Sequence, residues 1–163
     1  MGDKVTRLKQ RLSQEGEKAA GFFAKLEPAQ LDQMVYTDGA CWKVRQVLAH
    51  FVSAEANIGW IIADIYSGGQ GAPENLDIDE FNEQDVPRYE GTAAGELIER
   101  FLKYRRRTAS LISSMNEEDL ARQGRHPYLG ITSIEEIAKL LYIHNQIHIR
   151  DIRSLLHQYR DQN

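Results

Sequence analysis

Cysteine and excess basic charge are the two features that this sequence most clearly lacks. Its 163 residues include one cysteine, Cys41, which excludes an intrachain disulfide and gives no reason to expect an oxidising compartment. Its 20 basic residues are outnumbered by 24 acidic ones, and the net charge is -4. Nucleic-acid binding normally leaves a basic footprint, so we expect no nucleic-acid partner.

Long apolar runs are missing too, which argues against a transmembrane helix. The longest apolar stretch, residues 58–63, is far shorter than the roughly 20 residues that cross a bilayer. The first residues are charged and lack the apolar core of a secretory signal. We therefore expect a cytoplasmic protein without membrane contact. Its length predicts one domain over residues 1–163, long enough for a real hydrophobic core.

Strands are not predicted either, because no stretch alternates convincingly between apolar and polar residues. Helical periodicity instead appears in four segments, at about 3–26, 42–67, 92–115 and 132–159. The last begins at Thr132 or Ser133, and Glu135 and Glu136 follow in the pattern of a capping box. Helices of such similar length predict an all-α fold, namely a four-helix bundle.

The connections between these helices are unequal in length. The segment 67–91 is long and acidic, and loops of this length in compact domains are usually functional or disordered. Its middle, residues 78–82, predicts a short helix that covers one end of the bundle. A shorter connection, residues 116–131, predicts a turn at 117–120. Both connections are therefore expected to carry local structure of their own.

His144 and His148 are the residues that point most directly to a functional site. They stand four positions apart in the fourth helix, so their side chains lie on one face. The other members of the same stripe are aliphatic or aromatic, namely Ile134, Ile137, Leu141, Ile152, Leu155 and Tyr159. A buried imidazole without a partner costs free energy. A metal ion would be one such partner, and hydrogen bonds within the core would be another.

A third histidine, His50, favours the metal interpretation. It lies in the apolar second helix and flanks the inner row of that helix. Three imidazoles from two helices can bind one divalent ion, with zinc or nickel as the first expectation and iron or manganese as the second. The remaining histidines are weaker candidates, because His126 precedes Pro127 in a predicted loop and His157 falls off the stripe. We expect surface roles for both.

Several known metal and phosphate motifs are absent from the sequence. A zincin needs glutamate directly after the first histidine of the pair, and Asn145 occupies that position. A ferritin-like di-iron bundle needs glutamate three residues before a histidine, and no histidine here has one. There is also no phosphate-binding glycine loop and no nucleophile elbow. The three histidines therefore belong to none of these classes.

Supporting residues are harder to name. Asp151, three residues after His148, can orient an imidazole or can pair with Arg150 or Arg153 at the surface. The basic run at 103–107 follows a helical pattern, in which successive side chains point in different directions. We therefore expect part of this run to form a solvated face.

Four short pieces of the sequence occur in an order that is typical of one family. They are residues 42–50 (WKVRQVLAH), Phe81 with Asn82, residues 127–130 (PYLG), and His144 with His148. Together they cover nearly the whole chain. In this order they resemble the DinB/YfiT-like superfamily of metal-dependent enzymes, which is unrelated to the DNA polymerase that shares the first name.

The resemblance implies a four-helix bundle with up-down-down-up topology and a long crossover loop between the second and third helices. It also implies one divalent metal ion held by His50, His144 and His148. Characterised members include thiol-dependent S-transferases and isomerases that use mycothiol or bacillithiol. Asn145 departs from the acidic residue often found at its position, which removes support for a proton-transfer role there.

We therefore expect a divalent-metal-binding bundle that acts as a thiol-dependent S-transferase or a related metal-dependent hydrolase. Its partners would be a small-molecule substrate and a low-molecular-weight thiol. The alternative is a non-catalytic dimeric bundle that serves as a stress-response binding or interaction module. A homodimer is expected in either case, because bundles of this size often pair through an exposed apolar face.

Overall fold

The computed structural model describes residues 2–161, so the first residue and the last two of the predicted domain lie outside it. Its helices, in chain order, are α1 Asp3–Ala24, α2 Pro28–Leu31, α3 Val44–Tyr66, α4 Ile78–Asp85, a 3-10 helix Val86–Tyr89, α5 Ala94–Ser113, α6 Glu117–Leu120 and α7 Ile134–Asp161. The four long helices are the predicted ones, and the predicted four-helix bundle is confirmed. Within the described part of the chain, no helix is both long enough and apolar enough to cross a membrane.

Two buried clusters, one at each end of the bundle, form the core. The first combines the beginning of α1 and of α7 with the ends of α3 and α5, and includes Val5, Leu8, Leu12, Ile61, Ile62, Ile65, Ile112, Ile134, Ile137 and Leu141. The second combines the opposite ends of the same helices, and includes Ala19, Phe23, Val44, Val47, Leu48, Leu97, Phe101, Ile149 and Ile152. Consequently α1 and α7 run in one direction, and α3 and α5 run in the other.

The prediction that the chain has no sheet was wrong. Residues Gln123–His126 (β1) and Gly130–Ser133 (β2) form an antiparallel hairpin, in which His126 pairs with Gly130. Each strand is only four residues long, and β2 is not buried on either side. The period-two signal was therefore too short and too weak to recognise. The hairpin leads directly into α7.

The chain needs a long connection between α3 and α5 because these two helices run parallel, so it must return along the length of the bundle. It contains α4, the predicted short helix, whose first turn is capped by Asp77. The connection is also bound to β1, because Ala72 N–H donates to the Arg125 carbonyl at 2.8 Å. Gly71 makes this approach possible: its φ is +86°, and a Cβ there would lie 2.5 Å from the Arg125 carbonyl oxygen. Backbone hydrogen bonding thus joins the connection and the hairpin into one continuous surface.

A buried ion pair joins the four long helices near the middle of the bundle. Arg105 of α5, which is 1% exposed, donates to both carboxylate oxygens of Glu55 in α3 at 2.7 and 2.9 Å. It also donates to the carbonyl of Leu12 in α1 and to the side-chain oxygen of Asn145 in α7. Its neighbours Arg106 and Arg107 are exposed, as the solvated-face prediction required. Arg105 itself is not part of that face.

Candidate metal centre

Two helices present the three histidines that the sequence singled out. α3 begins at Val44, and the Gln46 side chain accepts the Lys43 N–H at its start, which places His50 in the second turn. α7 begins at Ile134, and the Ser133 hydroxyl accepts the N–H of Glu136, as the capping prediction implied. In α7 the four-residue spacing brings His144 and His148 onto one face, opposite His50.

The three imidazoles converge through the same ring nitrogen. Nε2 of His144 lies 2.8 Å from Nε2 of His50 and 3.0 Å from Nε2 of His148. A single ring nitrogen carries either one proton or one lone pair, so Nε2 of His144 cannot satisfy both neighbours by ordinary hydrogen bonds. Imidazole nitrogens that share one metal ion lie about 3 Å apart or slightly more. The three residues therefore fit one divalent ion, and this donor set is suited to zinc, nickel or iron.

Burial keeps these imidazoles neutral, which is the state that binds a metal. It lowers the pKa of His50 to about 3, with a smaller contribution from His148. It lowers the pKa of His148 to about 4 against the opposing effect of Asp151. The pKa of His144 also lies well below its usual value, because of burial and then the adjacent His50 and His148. No proton has to be displaced from them at neutral pH.

Tyr36, in the segment between α2 and α3, fixes the orientation of one imidazole. Its hydroxyl donates to a carboxylate oxygen of Asp151 at 2.8 Å and lies 2.7 Å from Nδ1 of His148. Since the hydroxyl proton is given to Asp151, Nδ1 of His148 must supply the proton in the second contact. This leaves the lone pair on Nε2 of His148, directed at the other two histidines. Burial and the Asp151 carboxylate raise the pKa of Tyr36, so the phenol stays protonated.

Aromatic rings hold the other two imidazoles by packing. The Trp42 ring lies 4.8 Å from the His50 ring, measured between centroids, and the Phe51 ring lies 5.9 Å from that of His144. Nδ1 of His50 is buried and has no hydrogen-bond partner among the described residues. His50 is therefore oriented by its helix and by Trp42.

A cavity of about 800 Å³ opens onto the three histidines. Helices α3, α4 and α7, the hairpin and the segment before α3 all contribute to its lining, which includes Tyr36, Trp42, Ile58, Trp60, Leu76, Phe81, Asn82, Pro127, Tyr128 and Ile147. Most of these side chains are apolar or aromatic. The charged side chains among its described lining residues are all acidic: Asp38, Asp79 and Glu83. The cavity can hold a small molecule next to the histidines.

His126 was expected at the surface, and this expectation was wrong. It ends β1 with 4% of its surface exposed and forms part of the cavity wall. Burial lowers its pKa to about 4. The sequence gives no sign of this burial, because the strand that carries His126 is only four residues long and shows no clear alternation. His157 lies at the surface, as expected.

Tyr36 and Arg105 were not identified as site or core residues from the sequence. Arg105 follows Phe101 by four residues and precedes Ile112 by seven, so it occupies the apolar stripe of α5, and this signal could have identified it. Tyr36 lies outside the long helices, where periodicity gives no information. Asp151 does both things that its position predicted: it acts on His148 through Tyr36 rather than by direct contact, and its other carboxylate oxygen pairs with Arg150 at 3.3 Å.

Comparison with solved structures supports the same fold. The structure of YfiT from Bacillus subtilis, described as a probable metal-dependent hydrolase with an unusual four-helix bundle topology, superposes with a TM-score of 0.79 at 20% identity, over 98% of this chain and 90% of that one. A protein from Clostridium difficile 630 gives a TM-score of 0.71 at 14% identity, over 95% and 96% of the two chains. These likenesses are evidence of a shared fold.

A larger protein contains the same fold. A mutant of the mycothiol-dependent maleylpyruvate isomerase gives a TM-score of 0.70 at 10% identity, over 92% of this chain and 59% of that one. No curated protein matches the sequence at a significant level. The sequence profile of the DinB superfamily, however, matches residues 6–152, which include all three histidines. The chain therefore belongs to the DinB superfamily.

Proposed function

We propose that this protein is a metal-dependent enzyme that acts on a small molecule, as a thiol-dependent S-transferase or a related hydrolase. One observation carries the proposal: three neutral imidazoles direct Nε2 to one point on the wall of a cavity of about 800 Å³. His50, His144 and His148 would hold one divalent ion at that point. The descriptions of two relatives, a metal-dependent hydrolase and a mycothiol-dependent isomerase, support this class of activity.

The chain's own residues prepare the site for such chemistry. A divalent ion held there would supply Lewis acidity, which would lower the pKa of a thiol or a water molecule bound to it. The group that would hold the ion consists of three histidines and no carboxylate, so these residues would not neutralise its charge. Tyr36 and Asp151 hold the lone pair of His148 in place. The apolar walls would contact the organic part of a substrate.

The test is a comparison of turnover with and without a chelator. Purified protein without a histidine tag is incubated with bacillithiol, mycothiol or glutathione and an electrophile such as monochlorobimane. We expect thiol conjugation above the uncatalysed rate, its loss with the chelator and its recovery when zinc or nickel is added back. The His144→Ala variant should be inactive, and His157→Ala, at an exposed histidine outside the site, should retain activity.

Hydrolysis is distinguished from thiol transfer by the co-substrate. An aryl ester that is cleaved without any thiol, in a chelator-sensitive manner, would indicate the hydrolase. Turnover that requires the thiol would indicate the transferase. If the chelator abolishes neither thiol conjugation nor cleavage of the aryl ester, the enzyme proposal is contradicted.

The second candidate is the non-catalytic dimeric module, and exposed apolar side chains favour it. Trp60, Tyr128 and Ile131 have 59%, 76% and 59% of their surfaces exposed. Large apolar groups at the surface are typical of interaction sites, although Trp60 and Tyr128 also line the cavity of the first candidate. A stable dimer in light scattering, together with no chelator-sensitive turnover, would support the module instead of the enzyme.

A further inference from the structure

The proposed metal chemistry assigns no role to His126, although this residue lines the same cavity. It lies on the buried side of β1, on the same face of the strand as Gly124. The strand is pressed closely against α3, because a Cβ on Gly124 would lie 2.3 Å from a side-chain carbon of Ile65. His126 also forms part of the wall of the cavity that the three histidines face. Its position is therefore fixed by the packing of the hairpin.

Two backbone contacts determine which nitrogen of His126 carries the proton. Nδ1 accepts the N–H of Tyr128 at 3.1 Å and the N–H of Leu129 at 3.2 Å. A nitrogen that accepts hydrogen bonds must present its lone pair, so Nδ1 carries no proton. In a neutral imidazole the proton is then on Nε2. The turn of the hairpin thus sets the tautomer of His126.

The Nε2–H group that results has no acceptor. Within the described part of the chain, Nε2 of His126 is buried and makes no hydrogen bond. A buried donor without an acceptor costs free energy, and such groups in native structures call for an explanation. Because His126 lines the cavity, an oxygen atom of a bound molecule would remove this cost once a small movement of the wall exposes Nε2. The donor is preorganised, since the backbone bonds at Nδ1 prevent the imidazole from turning away.

The charged side chains that line the cavity limit the kinds of molecule that can bind beside His126. Its described lining contains no lysine or arginine, whereas Asp38, Asp79 and Glu83 contribute negative charge. These carboxylates disfavour an anion away from the three histidines, whereas a divalent ion held by the histidines would attract an anionic group directly beside them. A neutral carbonyl oxygen, as in an amide or an ester, suits a neutral N–H donor and apolar walls.

We propose that His126 is a substrate-binding residue, whose Nε2–H donates a hydrogen bond to the carbonyl oxygen of a neutral small molecule. The inference deepens the proposed function, because it rests on the cavity being the place where that function is carried out. His126 is not a fourth metal ligand in this proposal. It selects a substrate with a carbonyl group and orients it beside His50, His144 and His148.

The proposal is tested by nuclear magnetic resonance on zinc-treated protein labelled with ¹⁵N at its histidines. Benzamide is the probe, because it combines an apolar ring with a neutral carbonyl, and benzoate is its negatively charged counterpart. We expect His126 to show the Nε2–H tautomer before any addition, and benzamide to shift its Nε2-bound proton downfield. In chelator-treated protein, where no metal ion attracts the carboxylate, benzoate should bind at least tenfold more weakly than benzamide at this residue. A proton on Nδ1, or no shift with benzamide, would overturn the proposal.

Two variants separate substrate binding from the structural role of the side chain. His126→Asn keeps a side-chain oxygen that can accept the N–H groups of Tyr128 and Leu129, but it removes the Nε2–H donor. His126→Gln keeps a donor near the position of Nε2. We expect benzamide to bind about tenfold more weakly to His126→Asn, and within about threefold of the original affinity to His126→Gln. Equal affinity of both variants and the original protein would overturn the proposal.

The same spectra distinguish a failure of this inference from a failure of the proposed function. Zinc should shift the ring signals of His50, His144 and His148, and these shifts test the metal site alone. If they do not occur, the metal proposal fails, while the tautomer of His126 and its response to benzamide can still be read. Circular dichroism of His126→Asn checks that the bundle remains folded.

Discussion

The hydroxyl of Tyr36 lies 2.7 Å from Nδ1 of His148, and this contact links the segment before α3 to the three-histidine cluster. The same hydroxyl donates to Asp151 at 2.8 Å. The carboxylate, the phenol and the imidazole are therefore linked in one chain of hydrogen bonds. Outer partners of this kind fix the tautomer and ring orientation of metal-binding histidines. The arrangement is the one that a ligating His148 requires.

Replacing Tyr36 with phenylalanine should weaken metal binding. Tyr36→Phe keeps the ring but removes the hydroxyl, so His148 loses the group that directs its lone pair to the cluster. We expect the zinc affinity to fall about 10-fold to 100-fold, as measured by competition with a chromophoric chelator. Tyr142→Phe, a change at a partly buried tyrosine of α7 outside the cavity lining, should leave the affinity unchanged. Equal affinities in both variants would contradict the role of Tyr36.

The buried ion pair predicts a large loss of stability when one partner is removed. Arg105→Met leaves the carboxylate of Glu55 buried without its counter-charge, which should lower the free energy of unfolding by about 3–5 kcal/mol. Urea denaturation monitored by circular dichroism measures this change. Arg106→Met, at the exposed neighbouring position, should change the stability by no more than about 0.5 kcal/mol.

The double variant Glu55→Leu with Arg105→Met tests the cause. Because it removes both charges, it should recover a large part of the stability that Arg105→Met loses. If the double variant is no more stable than Arg105→Met, the cost does not come from an unpaired charge. The packing of the long side chain would then be the main contribution.

The neutral histidines predict that the metal-free protein loses stability in mild acid. The pKa values of His50 and His148 are lowered to about 3 and about 4, from 6.5 in an unfolded chain. Below about pH 6.5 the unfolded chain therefore binds more protons than the folded one, and the free energy of unfolding decreases as the pH falls. Each histidine contributes up to about 1.4 kcal/mol per pH unit in this range.

Chemical denaturation of chelator-treated protein between pH 8 and pH 5 provides the measurement. Stability should be nearly constant above pH 7 and should fall steadily from about pH 6.5 to pH 5. His148→Gln should show a smaller slope, and His157→Ala, at an exposed position, should keep the original slope. A stability that rises as the pH falls through 6 would show that the histidines are not buried in the neutral form.

The long helices and the three histidines could be predicted from the sequence because each follows a periodic signal. His144 and His148 interrupt an apolar stripe at helical spacing, and His50 stands beside a second stripe. Local rules sufficed for these positions, since a helix fixes the relative direction of side chains four residues apart. The structure brings the three imidazoles together as expected.

Other parts of the site depend on contacts between distant segments and left no local signal. Tyr36 reaches His148 across 112 positions of the sequence, from a segment without periodicity. The burial of His126 depends on a hairpin of two four-residue strands, which is too short to show alternation. The close approach of Gly71 to Arg125, on which the cavity wall rests, is likewise set by tertiary packing.

The most direct test of the central claim is the metal content of the protein purified without a histidine tag. Inductively coupled plasma mass spectrometry of the original protein, His50→Ala, His144→Ala and His148→Ala should give about one equivalent of a divalent ion for the first. Each variant should retain less than about 0.2 equivalents under the same dialysis, while His157→Ala retains about one. Metal retained in full by all three site variants, or absent from the original protein even after reconstitution, would contradict the account.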